Sequence, residues 1–277
     1  MKWPNGAKCA VCLTFDFDAE ISWRNILRRH GIERDNPVVL SQGRYGPQEG
    51  VPRILRLLNR HDVKACFFIP GVVAEEYSEL TVDIAEAAHE VGHHGYTHTN
   101  PARLSPDDER DEIVRGIEIL EDLTGRRPMG YRAPATDLSE HTLDLLTEFD
   151  FLYDSSMMDR DNPYIIATGQ GTLIELPFKW YMDDWVHFGF NYFPPLEYQS
   201  GVSSHRKVSD IWMDEFEACY EEGLYLMVVM HPQITGVPSR AKMLERFIHR
   251  IKEQGDVWIA TPSEIATVCR NAGADGG

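Results

Sequence analysis

The stretch LTFDFDAE, residues 13–20, is a largely apolar run that ends in acidic residues. Its pattern predicts a β-strand, and residues two apart on a strand point to the same face. Asp16 and Asp18 should therefore project from one side of one strand end. Two carboxylates placed in this way repel each other unless a cation or an arginine compensates their charge. The stretch predicts a strand that carries a functional site at its end.

A second stretch, GHHGYTH at residues 92–98, supplies imidazoles. His94 and His98 are four residues apart, a spacing that one helical turn or a tight loop can aim at a common point. One or two carboxylates together with two imidazoles suit a borderline divalent metal ion that keeps one position open for water. The two stretches together predict a hydrolytic metal site.

Strand-like runs alternate with helical runs along most of the chain, which predicts an α/β fold built as a barrel or as a doubly wound sheet. The most apolar run, residues 225–230, is typical of a parallel strand that is buried on both faces. The other predicted strands are residues 10–16, 64–69, 130–133, 151–153, 173–176 and 257–260. Helices are predicted at residues 52–59, at 81–91 with Gly92 as a C-terminal stop, at 105–124, 139–149 and 240–254, and from residue 262.

Besides the acids and imidazoles of these two stretches, two further polar residues follow predicted strands. Arg132 ends the strand at residues 130–133, and His231 follows the strand at residues 225–230. In α/β barrels the carboxyl ends of the strands hold the chemistry. We therefore expect all of these side chains to meet at one site.

The 277 residues are predicted to form a single catalytic domain, because an α/β barrel of about 250 residues is one domain. Residues 154–206 are rich in aromatic side chains and show little regular pattern. We expect this segment to be an insertion over one mouth of the barrel. A closed mouth would leave a pocket of only a few hundred Å³ for a small-molecule substrate.

The charge of the chain excludes some classes of partner. With 27 basic and 44 acidic residues, the formal charge is −17. Nucleic acids and anionic membranes both need a basic surface, so neither is expected as a partner. The N-terminal residues lack the apolar run of a signal peptide, and no window resembles a membrane span. The five cysteines are expected to be reduced and buried, and we expect a cytoplasmic protein.

Four motifs occur in a characteristic order: TFDFD at residues 14–18, HGYTH at 94–98, RAP at 132–134 and MHP at 230–232. Together they resemble the polysaccharide deacetylase family, also called the NodB-homology family or carbohydrate esterase family four. The stretch EVGHHGYTHTNP is most similar to the cytoplasmic branch, with the Helicobacter-type peptidoglycan deacetylase homologue, cyclic imidases and metal-free allantoinases. The resemblance implies a deformed (β/α) barrel and a homo-oligomer, often a tetramer.

By this resemblance, Asp18, His94 and His98 stand where the family's metal ligands stand. One divalent metal ion is implied, and zinc is its expected identity. The family spacing selects His94 over His93, which is expected to be a structural neighbour of the ligands.

The resemblance also assigns the catalytic groups. Asp16 stands at the position of the catalytic base, Arg132 at that of an arginine that orients the base, and His231 at that of the general acid. Asp183 and Asp184 could be a solvated loop pair. Alternatively, one of them pairs with His231 and raises its pKa, so that the imidazole can donate a proton at neutral pH.

Two departures from the family pattern bear on the substrate. The extracellular sugar deacetylases usually carry adjacent acids in the first motif, whereas Phe17 separates them here, and they carry a tyrosine where this chain has Ala135. Both departures argue against a polymeric sugar. We therefore expect a metal-dependent hydrolase of non-peptide C–N bonds that acts on a small cyclic imide or a related amide. Contacts to the substrate are expected from Tyr96, Pro134 and Trp185.

Three alternatives stay open at this point. The chain could be an N-deacetylase of an N-acetylated sugar or of peptidoglycan. It could be a non-catalytic sugar-binding or regulatory protein, since a fold does not fix a function, although the complete motifs argue against this. It could also be a metal-free ureide hydrolase, against which the three metal-ligand candidates argue.

Overall fold

A computed structural model describes residues 1–196 and 201–274, and strands from the whole of this part of the chain form one sheet. The strands are β1 (Cys9–Asp16), β2 (Cys66–Ile69), β3 (Glu90–His93), β4 (Gly130–Tyr131), β5 (Tyr153–Asp154), β6 (Tyr164–Thr168), β7 (Gly171–Glu175), β8 (Tyr225–Met230) and β9 (Val257–Ile259).

Strand β1 lies inside the sheet and is parallel to all of its partners. Ala10–Phe15 of β1 pair with Tyr225–Met230 of β8. Strand β9 pairs with the beginning of β1, and β2 pairs with its end. From β2 the sheet continues in parallel through β3, β4, β5 and β7, and β6 is added antiparallel to β7. The predicted α/β fold with a parallel sheet is confirmed, and no ladder among the described strands closes the sheet between β8 and β6.

Helices connect the strands. They are α1 (Ile21–Arg29), α2 (Pro37–Tyr45), α3 (Val51–Arg60), α4 (Gly71–Glu76), α5 (Ser78–Glu86), α6 (Pro106–Thr124), α7 (Thr142–Glu148), α8 (Asp184–Phe188), α9 (His205–Glu222), α10 (Pro232–Thr235), α11 (Pro238–Glu253) and α12 (Pro262–Ala274). A π-helical turn, Gly46–Gly50, joins α2 to α3.

The alternation along β1 separates two cores. Its odd-numbered residues, including Leu13 and Phe15, pack into a large cluster with residues of α3, α9 and α11. Its even-numbered residues Ala10 and Cys12 pack into a second cluster with residues of β2, β5, β7 and β8. Both faces of the strand are fully buried. Because side chains on a strand alternate, Asp16 extends the even-numbered face, where the functional site forms.

One predicted helix is wrong. Residues 81–91 do not form a single helix, since α5 ends at Glu86 and residues 90–93 form strand β3. Ala88 takes a φ of 59°, which turns the chain between the two elements. The backbone of residues 90–93 pairs with β2, and this long-range pairing overrides the local helical pattern. Gly92 therefore lies in a strand and does not stop a helix.

The aromatic-rich segment at residues 154–206 is more regular than its sequence indicates. It contains β6 and β7, which form an antiparallel hairpin at the edge of the sheet. It also contains the short helix α8, and its last residues begin α9. Residues 197–200 of this segment lie outside the described residues.

All five cysteines are buried and unpaired. In the part of the chain that the structure describes, we find no helix with both the length and the apolar character needed to span a bilayer.

Candidate active site

The two acids of the first motif lie at the end of β1. Asp16 is the last residue of the strand, and Asp18 follows just before α1 begins. The Phe17 N–H donates to the carbonyl oxygen of Phe68, so the extended backbone continues past Asp16. Both carboxylates are buried, with 3% and 2% of their residue surface exposed. As predicted from the spacing, they are held close to one site.

Asp18, His94 and His98 come together as a candidate metal site. Oδ1 of Asp18 lies 3.5 Å from Nε2 of His94 and 3.6 Å from Nε2 of His98. This oxygen is buried and accepts no hydrogen bond from any described residue, whereas Oδ2 accepts one from the Ser22 hydroxyl. A buried carboxylate oxygen without a donor, facing two imidazole nitrogens, fits a divalent cation.

The two imidazoles are prepared to act as neutral ligands. Burial lowers the pKa of His94 and that of His98 to about 4. Nδ1 of His94 lies 2.7 Å from the carbonyl oxygen of Arg132, a contact that requires Nδ1 to carry the proton. Nε2 of His94 is then an unprotonated lone pair aimed at Asp18. Such an outer hydrogen bond fixes the tautomer of a metal-bound histidine.

The loop that carries His98 is held from both sides. The Asn25 side-chain amide on α1 donates to the carbonyl oxygen of His98 at 2.9 Å. The Glu112 carboxylate on α6 accepts from the backbone N–H groups of Tyr96 and Thr97. His98 itself takes a φ of 55°, a conformation that such external bonds can hold in place.

His93 has a structural role, in agreement with the expectation. Its Nε2 lies 3.0 Å from the carbonyl oxygen of Ile113 on α6. A Cβ atom added at Gly116 would come within 2.1 Å of that Nε2, so α6 can approach the ring only because residue 116 is glycine.

Asp16 is paired with Arg132, which is completely buried. Nη1 of Arg132 donates to Oδ1 of Asp16 at 2.7 Å and to the Thr14 hydroxyl at 3.0 Å. The same guanidinium donates to the carbonyl oxygen and the hydroxyl of Ser155. Burial raises the pKa of Asp16, but the charge and the hydrogen bond of Arg132, together with the charge of His231, outweigh burial and hold that pKa below its ordinary value. The carboxylate is therefore ionised at neutral pH.

The hydrogen-bond partner of His231 is Asp184, whereas Oδ1 of Asp183 lies farther from Nδ1 of His231, at 3.8 Å. Nδ1 of His231 lies 2.7 Å from Oδ1 of Asp184, and the His231 N–H donates to Oδ2 of Asp184. Burial lowers the pKa of His231, but Asp184 outweighs it and raises the pKa to about 10. Asp183 instead caps α8, since its Oδ1 accepts from the Trp185 N–H.

The group formed by Asp183, Asp184 and His231 could also be considered for a metal, because its ligand atoms lie close together. However, both oxygens of Asp184 already accept hydrogen bonds, including one from the Thr235 hydroxyl. Nδ1 of His231 is also engaged. The cluster with the unpaired Asp18 oxygen is therefore the better candidate.

A cleft of about 760 Å³ opens over these groups. Asp16, Asp18 and His231 line its floor, and Trp180 and Trp185 form part of its wall. In the part of the chain that the structure describes, the volume exceeds the few hundred Å³ expected for a closed mouth, so that expectation is wrong for these residues. The segment at residues 180–196 supplies one wall but does not seal the cleft.

Of the three predicted substrate contacts, only Trp185 lines the cleft, where its ring centroid lies 5.0 Å from that of His231. The Tyr96 hydroxyl donates to Glu75, and the Arg115 guanidinium covers the Tyr96 ring. Tyr96 is thus engaged outside the cleft. Pro134 is buried and packs near Gly95. The structure corrects both of these predictions.

Helix α1 supplies site residues that the motifs do not include. Ser22 and Asn25, three residues apart, lie on one face of a helix and hold Asp18 and the His98 loop. The signal that could have indicated them is this helical spacing directly after the strand-end acids. Trp180, exposed over 48% of its surface, is a further lining residue outside the motifs.

Comparison with known proteins shows the family to which the chain belongs. Residues 36–153 match the family model described as polysaccharide deacetylase. The chain is 33% identical to the peptidoglycan deacetylase of Helicobacter pylori, over 92% of this chain and 94% of that protein.

Two solved structures are similar over nearly the whole chain. A Mycobacterium smegmatis protein described as a polysaccharide deacetylase has a TM-score of 0.92 and 39% identity, covering 98% of this chain and 93% of that one. An allantoinase structure has a TM-score of 0.83 and 25% identity, covering 96% and 91%. The sheet is that of the deformed (β/α) barrel expected from the resemblance, and the chain belongs to the polysaccharide deacetylase family, the NodB-homology group of hydrolytic enzymes.

Proposed function

We propose that this protein is a metal-dependent hydrolase of a non-peptide C–N bond, and that its preferred substrate is a small cyclic imide or a related amide. One observation carries the proposal: an ionised carboxylate and a protonated imidazole border the same candidate metal site. Oδ2 of Asp16 lies 4.0 Å from Nε2 of His94, and Nε2 of His231 lies 3.9 Å from Oδ2 of Asp18. A base and an acid on one metal site are the groups that amide hydrolysis needs.

Asp18, His94 and His98 would hold the metal ion, for which we propose zinc because two imidazoles and a carboxylate suit it. When bound, such an ion polarises a carbonyl oxygen and makes water more acidic.

Asp16 takes the proton from the attacking water as the new C–O bond forms. Its carboxylate can do so because Arg132 keeps it ionised and fixes one of its oxygens. The other oxygen, Oδ2, faces the His94 side of the site and is free to receive the proton.

His231 gives a proton to the departing nitrogen as the C–N bond breaks, since an amide anion is a poor leaving group. The contact with Asp184 fixes a proton on Nδ1 of His231 and turns Nε2 towards the cleft. The raised pKa keeps Nε2 protonated at neutral pH. The protonated His231 is then restored when the proton taken up by Asp16 is returned through water.

Two observations support a small ring substrate. The wall of the cleft offers flat aromatic surfaces from Trp180 and Trp185, and Ala135 leaves space where a larger side chain would intrude. The similarity to an allantoinase, whose name indicates a ring substrate, points in the same direction.

An N-acetylated sugar is the second candidate. The cleft volume of about 760 Å³ would hold a substrate larger than one ring, and a relative at 33% identity is a peptidoglycan deacetylase. The two candidates share the chemistry and differ only in what fills the outer cleft.

The deciding experiment measures kcat/KM for succinimide, hydantoin, allantoin and chitin oligomers, with and without added zinc. Asp16→Asn is the matched control, because it changes the shape of the site little but removes the base. Higher kcat/KM for a ring than for the oligomers supports the imide proposal. Higher kcat/KM for the oligomers overturns it in favour of N-deacetylation, and equal turnover by Asp16→Asn refutes the mechanism.

A further inference from the structure

The charge of the outer cleft is opposite to that of the protein. The chain carries 44 acidic and 27 basic residues. The carboxylates that line the cleft belong to the inner site, where they hold or flank the catalytic groups. Outside this inner site, which also contains the protonated His231, three exposed arginines line the described part of the cleft: Arg28, Arg29 and Arg103.

Helix α1 places Arg29 on the same face as two residues that hold the candidate site. Ser22, Asn25 and Arg29 share one face of the helix, at spacings of three and four residues. Ser22 holds Asp18, and Asn25 holds the His98 loop. Arg29 is one turn further along this face, about 6 Å beyond Asn25 at 1.5 Å per residue. It is therefore a continuation of the site towards the mouth of the cleft.

Arg103 lies just after the loop that carries His98. Arg103 ends the short turn Pro101–Arg103, which follows His98 closely in the chain. In the described structure neither Arg29 nor Arg103 is paired with a carboxylate, whereas Arg24 on α1 pairs with Glu76. Two arginines with free donors thus border the cleft on the side of the candidate metal ligand His98.

We propose that the substrate carries a carboxylate away from its scissile C–N bond, and that Arg29 and Arg103 bind it. This inference rests on the proposed hydrolysis at the same site. Guanidinium groups match the two oxygens of a carboxylate and stay charged at all physiological pH values. The scissile bond lies at the floor, the apolar part of the substrate packs against the tryptophan wall, and the carboxylate reaches the rim.

The test uses two pairs of substrates, each with a neutral and a carboxylated member. One pair is hydantoin and hydantoin-5-acetate, and the other is N-acetylglucosamine and N-acetylmuramate. Each is measured with the native protein, with the double variant Arg29→Gln/Arg103→Gln, and with Arg126→Gln, which changes an exposed arginine that does not line the cleft. All three proteins keep the catalytic groups.

In the pair that the enzyme hydrolyses faster, we expect the carboxylated member to have a kcat/KM at least about tenfold higher, which corresponds to about 1.4 kcal/mol. The double variant should lose this advantage through KM, with kcat little changed, and Arg126→Gln should keep it. Added salt should raise KM for the carboxylated member with the native protein and with Arg126→Gln, but not with the double variant.

Equal kcat/KM for the two members of that pair overturns the inference, as does an advantage that survives in the double variant. The proposed function is tested separately by which pair is faster. Faster turnover of the sugar pair contradicts the imide proposal, while the comparison within the pair still decides whether a carboxylate is bound.

Discussion

Two carboxyl groups are buried behind the candidate active site. Asp154 and Glu175 are paired residues of the neighbouring strands β5 and β7, and both are fully buried. Oδ2 of Asp154 and Oε2 of Glu175 have no donor among the described residues, and the two side chains contact each other. Burial and the charge of Asp154 raise the pKa of Glu175 well above its ordinary value. We predict that the two groups share one proton at neutral pH.

This pair supports the turn that holds Arg132. Oε1 of Glu175 accepts from the backbone N–H groups of Ser156 and Met157 at 3.2 and 3.0 Å. Glu175→Gln keeps this acceptor and adds an amide donor for Asp154. Glu175→Ala leaves the N–H groups of the buried Ser156 and the partly buried Met157 unpaired, at about 1–3 kcal/mol each, so we expect a loss of stability of about 2–6 kcal/mol. At about 2–4 °C per kcal/mol, the midpoint Tm should fall by roughly 4–24 °C in the alanine variant.

The pH dependence provides the sharper readout. A carboxyl whose pKa is raised on folding contributes stability that is present below its unfolded value near 4.5 and is lost as pH rises through the folded value. Glu175→Gln has no such proton to lose. The Tm of Glu175→Gln minus the Tm of the native protein, measured by circular dichroism, should therefore increase between about pH 5 and pH 8. The same Tm difference at both pH values would refute the shared proton.

The other predictions concern the candidate site itself. Elemental analysis should find close to one metal ion per chain in the native protein and almost none in His94→Ala or in His98→Ala. Full metal content with full activity in both variants would show that the site is wrong. Asp16→Asn should keep the metal but lower kcat by about 10²–10⁴-fold, the range for loss of a general base, whereas metal loss would make Asp16 a ligand. Asp184→Asn should lower the pKa of His231 from about 10, so the alkaline limb of the kcat profile should move to lower pH. An unchanged alkaline limb would contradict the role of His231 as the acid.

The sequence alone predicts the central strand and the convergence of the polar residues. Strand β1 is a largely apolar run buried on both faces, so its pattern is strong. Asp16, Arg132 and His231 each end or follow a parallel strand, and such ends share one edge of the sheet. Their meeting follows from topology and needs no knowledge of side-chain conformation.

Other features depend on contacts that local patterns do not contain. Helix α1 begins after Glu20, which lies in the helical region itself and makes no capping bond, so no start signal precedes it. Asp183 and Asp184 are adjacent, and only the start of α8 decides that the first caps the helix while the second turns to His231. Strand β3 forms because β2 offers it a partner.

The pairing of β1 with β8 has a consequence for synthesis on the ribosome. Ala10–Phe15 must wait for Tyr225–Met230, which are made more than two hundred residues later. At about 5–20 residues per second, this delay is roughly 10–40 s, during which one apolar edge of the nascent strand is unpaired. The protein should therefore depend on chaperones that shield this unpaired strand, and its active site is completed only after β8 has been synthesised.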